Sequence, residues 1–143
     1  MLCVDVNVLV YAHRPDLEQH SRYRDLLEQW ANGDEPLGLP DVVLSGFHRV
    51  ITNRRIFAEP VSPEYAWAAV DALVEAPAAL TLRTGERHWS VFRQLCDDID
   101  ARGNDVQDAY LAAYACENNA TWLSADRGFA RFHRLQWRHP LDT

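Results

Sequence analysis

The chain has 143 residues, 48% hydrophobic and 24% charged, the composition of one soluble globular domain and not of a disordered or membrane-spanning chain. No apolar run approaches about 18 residues, which excludes a transmembrane helix. The net charge of −7 weighs against a nucleic-acid partner, and all 14 basic residues other than His are Arg, which excludes P-loop, Schiff-base and pyridoxal-phosphate chemistry.

No basic region precedes the first apolar run, no small-residue cleavage site follows it, and Asp5 interrupts it. These features argue against a signal peptide, so a cytoplasmic protein with no membrane association is expected. Cys3, Cys96 and Cys116 are far apart and odd in number, which reads as buried free thiols in a reducing compartment. Nothing resembles a linker, so residues 1–143 are expected to form a single domain.

The first eleven residues, Met1 to Tyr11, are apolar except for Asp5 and Asn7, and such a run reads as a strand buried on both faces. An ionised Asp there is costly unless a metal, a cation or several donors satisfy it. The alternative is that Asp5 caps a following helix, and the strand alone does not choose between them. Ala12 to Pro15 is read as a connector and Asp16 as the cap of an amphipathic helix to about Ala31, ended by Asn32-Gly33. Pro36 to Pro40 is a short strand bounded by prolines.

Asp41 is read as the cap of a helix to about Asn53, with Val43, Gly46, Phe47, Val50 and Ile51 inward. Arg49, Arg54 and Arg55 gather at its end, where they suit either the helix C-terminus or contact with phosphates. Ser62 caps a helix through Val74, and Ala79 to Arg83 form a strand. Thr84 opens a helix to about Ala101 with Trp89, Phe92, Leu95, Cys96 and Ile99 inward. In the next helix, from about Asp105 to Asn118, Asp105 and Asp108 share one side of the first turn. Its small residues, Ala109, Ala112, Ala113 and Ala115, allow close packing on a sheet. Ala120 to Ser124 is a strand with Asp126 just past it, Arg127 to Phe129 a short helix or turn, and Leu135 to Trp137 the last strand.

Strands alternating with helices give an α/β sandwich with a mainly parallel sheet, whose ligand crevice lies past the C-terminal strand ends. Asp5, Asp108 and Asp126 converge there as an acidic metal site. Oxygen ligands suit Mg²⁺ or Mn²⁺. Such an ion acidifies water and neutralises a scissile phosphate, so hydrolysis needs no covalent protein nucleophile. The six His residues show no ligand spacing, and Trp30, Trp67, Trp89 and Trp137 are assigned to core or interface.

Four stretches together resemble the PIN-domain ribonucleases, specifically the VapC-type toxins of type II toxin–antitoxin systems, over essentially the whole length. They run from Val4-Asp5-Val6-Asn7 to Tyr11, from Leu44 to Asn53, from Asn104-Asp105 through Asp108 to Ala113, and from Trp122 through Ser124 and Asp126 to Phe129. The resemblance implies a PIN-like three-layer α/β/α sandwich and a Mg²⁺- or Mn²⁺-dependent endoribonuclease. Its metal-binding catalytic acids would be Asp5, Asp108 and Asp126, supported by Asn7 and Ser124. RNA would be contacted by Arg49, Arg54 and Arg55. The resemblance further implies a homodimer neutralised by a VapB-type antitoxin that sends a basic side chain into the acidic site.

Two positions depart from the family pattern. Gly46 stands where a further acid is common, and Gly128 stands two residues after Asp126, where another often falls. Asp105 is the candidate replacement ligand. The departures keep a second reading open, a degenerate PIN domain that binds RNA or a partner without efficient cleavage.

Overall fold

The computed structural model describes residues 1–142. Five strands form one all-parallel sheet in the order β3-β2-β1-β4-β5. They are β1 (Leu2–Val4), β2 (Leu37–Pro40), β3 (Ala79–Leu82), β4 (Thr121–Leu123) and β5 (Gln136–Arg138). The helices are α1 (Val6–His13), α2 (His20–Ala31), α3 (Asp41–Ile51), α4 (Pro63–Val74), α5 (His88–Ile99) and α6 (Asn104–Glu117), and a 3₁₀ turn spans Arg127–Arg131.

The order of the strands positions the site. The chain steps one way from β1 through β2 to β3, then returns past β1 to lay down β4 and β5. Parallel crossovers are right-handed almost without exception. Two opposite directions of travel therefore place α1–α4 on one face and α5–α6 on the other. The packing agrees, since α1 lies on α2 and α3, α3 on α4, and α5 on α6. The direction reverses between β1 and β4, and the crevice at such a switch is where open parallel sheets bind ligands.

Local chemistry explains most of the elements. β1 lies between two neighbours, so Cys3 and Val4 are fully buried. Ala109, Ala112, Ala113 and Ala115 are fully buried as well, and their small side chains bring α6 onto β4. Ser62 caps α4 as expected, its hydroxyl accepting from the Tyr65 amide at 3.1 Å.

Several sequence expectations are corrected. The opening apolar run is not one strand: it ends at Val4, and Val6–His13 is helix. A three-residue strand and a two-turn helix, both buried, share the same apolar signature. Asp16 does not cap α2, which starts at His20. Asp16 instead takes a bidentate pair from the buried Arg14, at 2.9 Å to each oxygen. Thr84 does not cap α5, and on that helix Trp89 points outward while His88 is the buried residue. His88 is held by edge-on contacts to the Tyr110 and Tyr114 rings and a 3.0 Å hydrogen bond to the Tyr110 carbonyl. Trp67 is also exposed. Of the three thiols, all free, only Cys3 is buried; Cys96 and Cys116 are half-buried.

Candidate active site

Asp5 follows β1 directly and caps α1, so both roles considered for it meet in one residue. Its amide donates to the Leu123 carbonyl at 3.0 Å, continuing the ladder to β4. Its Oδ1 accepts from the Val6 amide at 2.7 Å. Its Oδ2 accepts from the Ser124 hydroxyl at 2.6 Å and from Asn7 Nδ2 at 3.4 Å. The residue is 7% exposed. Burial pushes its pKa up from 3.8 to about 6, the Ser124 and Val6 hydrogen bonds pull it back, and the charges of Asp108 and Asp126 push it up again.

Ser124, fully buried just past β4, ties the site together. A hydroxyl has one proton and two lone pairs, and all three are used. It donates to Asp5 and accepts from Asn7 Nδ2 at 3.2 Å and from the Asp126 amide at 3.1 Å. Asn7 completes the loop, because its Oδ1 accepts from the Ala125 amide at 3.2 Å. The Ser124 carbonyl accepts from Trp137 Nε1 at 3.1 Å, which anchors the strand end to β5. Asp126 caps the 3₁₀ turn through its Oδ1, which accepts from the Gly128 amide at 2.8 Å. Its other oxygen remains free of that cap.

Asp105 lies in the first turn of α6, where helix-end amides favour negative charge, and Asp108, expected in that turn too, follows one turn along on the same side. Arg131, at the end of the 3₁₀ turn, spans them. Its Nη2 lies 3.0 Å from Asp105 Oδ1 and 2.9 Å from Asp108 Oδ2. Its Nη1 donates to the Gly128 carbonyl, and its guanidinium lies 4.6 Å from the Phe132 ring centroid. Sequence reasoning assigned Arg131 no role. The available signal was an Arg five residues after Asp126, at the end of the short turn that Asp126 opens.

Both glycines that depart from the expected pattern sit in close surroundings. A Cβ at Gly46 would lie 2.9 Å from Val6 Cγ2, so a side chain there would require the Val6 side chain to shift. A Cβ at Gly128 would lie 2.9 Å from Asp126 Oδ1 and 3.0 Å from Arg131 Nη1. The position that elsewhere supplies an acid is given over to the Asp126 cap and the Arg131 guanidinium.

Three separate segments thus bring Asp108 and Asp126 within range of the Asp5 charge, and Asn7 and Ser124 connect Asp5 to the Asp126 backbone. A cleft of about 520 Å³ opens at Asp5 and Asn7, walled by Val10, Tyr11, Val50 and Phe57. Arg54 and Arg55 are exposed in the turn that returns Phe57 to this wall. Arg49 instead lines a separate cavity of about 630 Å³ beside α4, with His48, Trp67 and Arg83. None of the three site carboxylates lines that cavity, so its size does not make it the chemical centre. Among the described residues, Arg49, Arg54 and Arg55 form no ion pair.

The donor set is oxygen, and a hard divalent cation would relieve both the burial and the neighbouring negative charge that lift Asp5. Among the described residues, no three His, Cys, Asp or Glu side chains are already drawn together at coordinating spacing. Mg²⁺ keeps several waters and uses one or two protein carboxylates, so the donors fit such an ion without a closed cage.

An open parallel sheet with carboxylates gathered past the C-terminal ends of β1 and β4 defines an acidic-site α/β protein. The PIN domain profile matches residues 2–135, and the chain belongs to the PIN-domain family, in its VapC branch. It is 75% identical over 142 residues to Ribonuclease VapC43 of Mycobacterium tuberculosis, covering 99% of this chain and 97% of the relative. It is 39% identical to Ribonuclease VapC25 of the same species, covering 98% and 99%. The fold matches VapBC-1 of nontypeable Haemophilus influenzae with a TM-score of 0.71 at 15% identity, over 99% of this chain and 98% of the other. It matches M. tuberculosis VapC20, described as a Sarcin-Ricin loop cleaving toxin, with a TM-score of 0.63 at 14% identity, over 94% and 98%.

Proposed function

We propose that this chain, as a single domain over residues 1–143, is the toxin of a VapBC-type pair, an endoribonuclease that works with Mg²⁺ or Mn²⁺. One observation carries the reading: Ser124, at the topological switch, binds the carboxylate of Asp5 and the amide of Asp126 through one hydroxyl, while Asp108 adds its charge to the same spot. Relatives named as ribonucleases, 75% and 39% identical over nearly the whole chain, support it.

Asp5, Asp108 and Asp126 would hold the ion, while Asp105, the candidate replacement ligand, is engaged by Arg131. When bound, the ion supplies a positive centre that stabilises charge developing on a phosphoryl group. The chain's own residues do the rest. Ser124 and Asn7 fix the Asp5 carboxylate and the Ala125 and Asp126 backbone. Asp5 would stay ionised beside the ion, whose charge offsets the burial and the neighbouring carboxylates that raise the Asp5 pKa to about 6 in the metal-free chain. Arg54 and Arg55 bear on the RNA backbone. Arg49 does so only for RNA that also crosses the cavity at Trp67. The solved relatives described as VapBC support a VapB-type antitoxin as partner, and a cytoplasmic homodimer accords with the family. Among the described residues, no helix is long and apolar enough to cross a membrane.

The test is cleavage of structured RNAs with Mg²⁺ or Mn²⁺ against chelator, wild type beside Asp5→Asn. Cleavage only by wild type and only with the ion is expected. Equal cleavage by the two proteins, or none of any RNA tried, sinks the reading. The absence of any cleavage would favour the binding-only alternative, which rests on Gly46 and on Arg131 holding Asp108. Arg54→Ala with Arg55→Ala is expected to weaken RNA binding several-fold. It should also flatten the salt dependence by roughly 0.7 for each phosphate no longer neutralised, while kcat at saturating RNA stays close to wild type. Filter binding at graded salt reads both effects, and an unchanged slope would remove these arginines from the interface.

A further inference from the structure

Arg131 is the one cation inside the carboxylate site among the described residues, and its setting is built rather than incidental. Asp105 and Asp108 lie three residues apart on α6, a spacing at which like charges repel, and a single Nη2 bridges them. The other terminal nitrogen is fixed by the Gly128 carbonyl, and the guanidinium plane is backed by Phe132. Its Nε is buried and has no partner, so the side chain is not in a fully satisfied resting place. Gly128 leaves the room that a side chain there would take from the Arg131 guanidinium.

We propose that Arg131 is a positioning residue that acts as the site's own counter-ion. It holds Asp108 against Asp105 while no divalent cation is bound, and gives up Asp108 to the ion while keeping Asp105. The inference rests on the reading that the acids hold a divalent cation. Charge-assisted hydrogen bonds of this kind are the strong ones. An ion that takes Asp108 Oδ2 must break the Arg131–Asp108 bond, and one that takes Oδ1 still meets a guanidinium on the same carboxylate, so Arg131 weakens metal binding. The same pairing steadies the metal-free protein by offsetting repulsion among four nearby carboxylates. Arg131 thereby sets the cation concentration at which the site loads.

The experiment uses Mn²⁺ as probe, with affinity read by electron paramagnetic resonance or calorimetry at fixed ionic strength and no RNA present. Wild type, Arg131→Gln, Arg131→Lys and Asp5→Asn are compared, each with its melting temperature with and without Mn²⁺. Arg131→Gln is expected to bind Mn²⁺ about tenfold tighter, to melt lower without the ion, and to gain more from it than wild type does. Arg131→Lys, which keeps the charge but loses the planar fork, is expected to fall between. Unchanged or weaker binding by a folded Arg131→Gln overturns the proposal and leaves Arg131 as a scaffold for Asp108. Should Arg131→Gln not fold, Arg131→Lys decides: tighter binding than wild type supports the proposal, and equal or weaker binding overturns it. Asp5→Asn separates the two levels. If it binds Mn²⁺ as wild type does, the ion lies elsewhere and both the metal-site reading and this inference fall. If it loses binding while the Arg131 variants match wild type, only the inference falls.

Discussion

Asp5→Asn is expected to lower RNA cleavage by about 10²–10³-fold or more and, in the absence of divalent cations, to make the protein more stable at neutral pH. The second effect follows from burial. The Asp5 carboxyl is raised from 3.8 to about 6 in the folded chain, so between those values the folded state holds a proton that the unfolded state releases. Stability therefore falls as pH rises from about 4 to 6, and above that window ionised Asp5 is a standing cost on the order of 2–3 kcal/mol. Asn carries no charge and still accepts from the Val6 amide as an N-cap. Its amide nitrogen cannot accept the Ser124 proton, which returns part of the gain. A net gain of about 1 kcal/mol, or roughly 2–5 °C in Tm at pH 7, is expected. It should vanish near pH 4, where wild-type Asp5 is protonated. Calorimetry in chelator from pH 4 to 7.5 reads it directly. A variant that cleaves like wild type, or whose stability tracks wild type at every pH, would remove Asp5 from the centre of the site. Gaining stability while losing activity is the signature of a group held in place for chemistry and not for folding.

Ser124→Ala should act in the opposite direction on stability. The hydroxyl is fully buried and makes three hydrogen bonds. Its removal leaves Asp5 Oδ2 and the Asp126 amide short of a partner, with Asn7 Nδ2 keeping only its longer bond to Asp5. Orphaned buried polar groups cost about 1–3 kcal/mol each, and the site can relax only slightly, because Trp137 pins the Ser124 carbonyl. A loss of about 2–4 kcal/mol is expected, seen as a lower urea midpoint with an unchanged m-value. The pH profile of cleavage adds a second readout. Ser124 holds the Asp5 pKa down, so without it the acid limb should move to higher pH. Wild-type stability and an unmoved limb would together show that the hydroxyl does not join the two strand ends.

Gly46 and Gly128 stood out in the sequence as missing acids, and it is here that sequence and structure part. Only the fold shows that a side chain at the first would displace the Val6 side chain and that one at the second would crowd the Asp126 carboxylate and the Arg131 guanidinium. Arg49, Arg54 and Arg55 looked like one cluster because they are near in sequence. The turn after α3 separates them, leaving Arg49 in the cavity at Trp67 and Arg54 and Arg55 in the exposed turn before Phe57.

The sequence by itself determined the alternation of strands and helices and the parallel sheet, and it singled out Asp5, Asp108 and Asp126, with Asn7 and Ser124, as the candidate site. Each of these is written in periodicity, caps and short motifs, which are local signals that a linear reading can follow. It could not place the break at Asp5 between β1 and α1, since a buried strand and a buried helix turn are equally apolar. It could not turn Trp89 outward and His88 inward, because a neighbouring pair on a helix differs in burial only through what packs against it. It offered only the spacing of Arg131 from Asp126, and the meaning of Arg131 depends on Asp105 and Asp108 arriving from a different element. Which charges meet is decided by the strand order, and only the folded chain holds that.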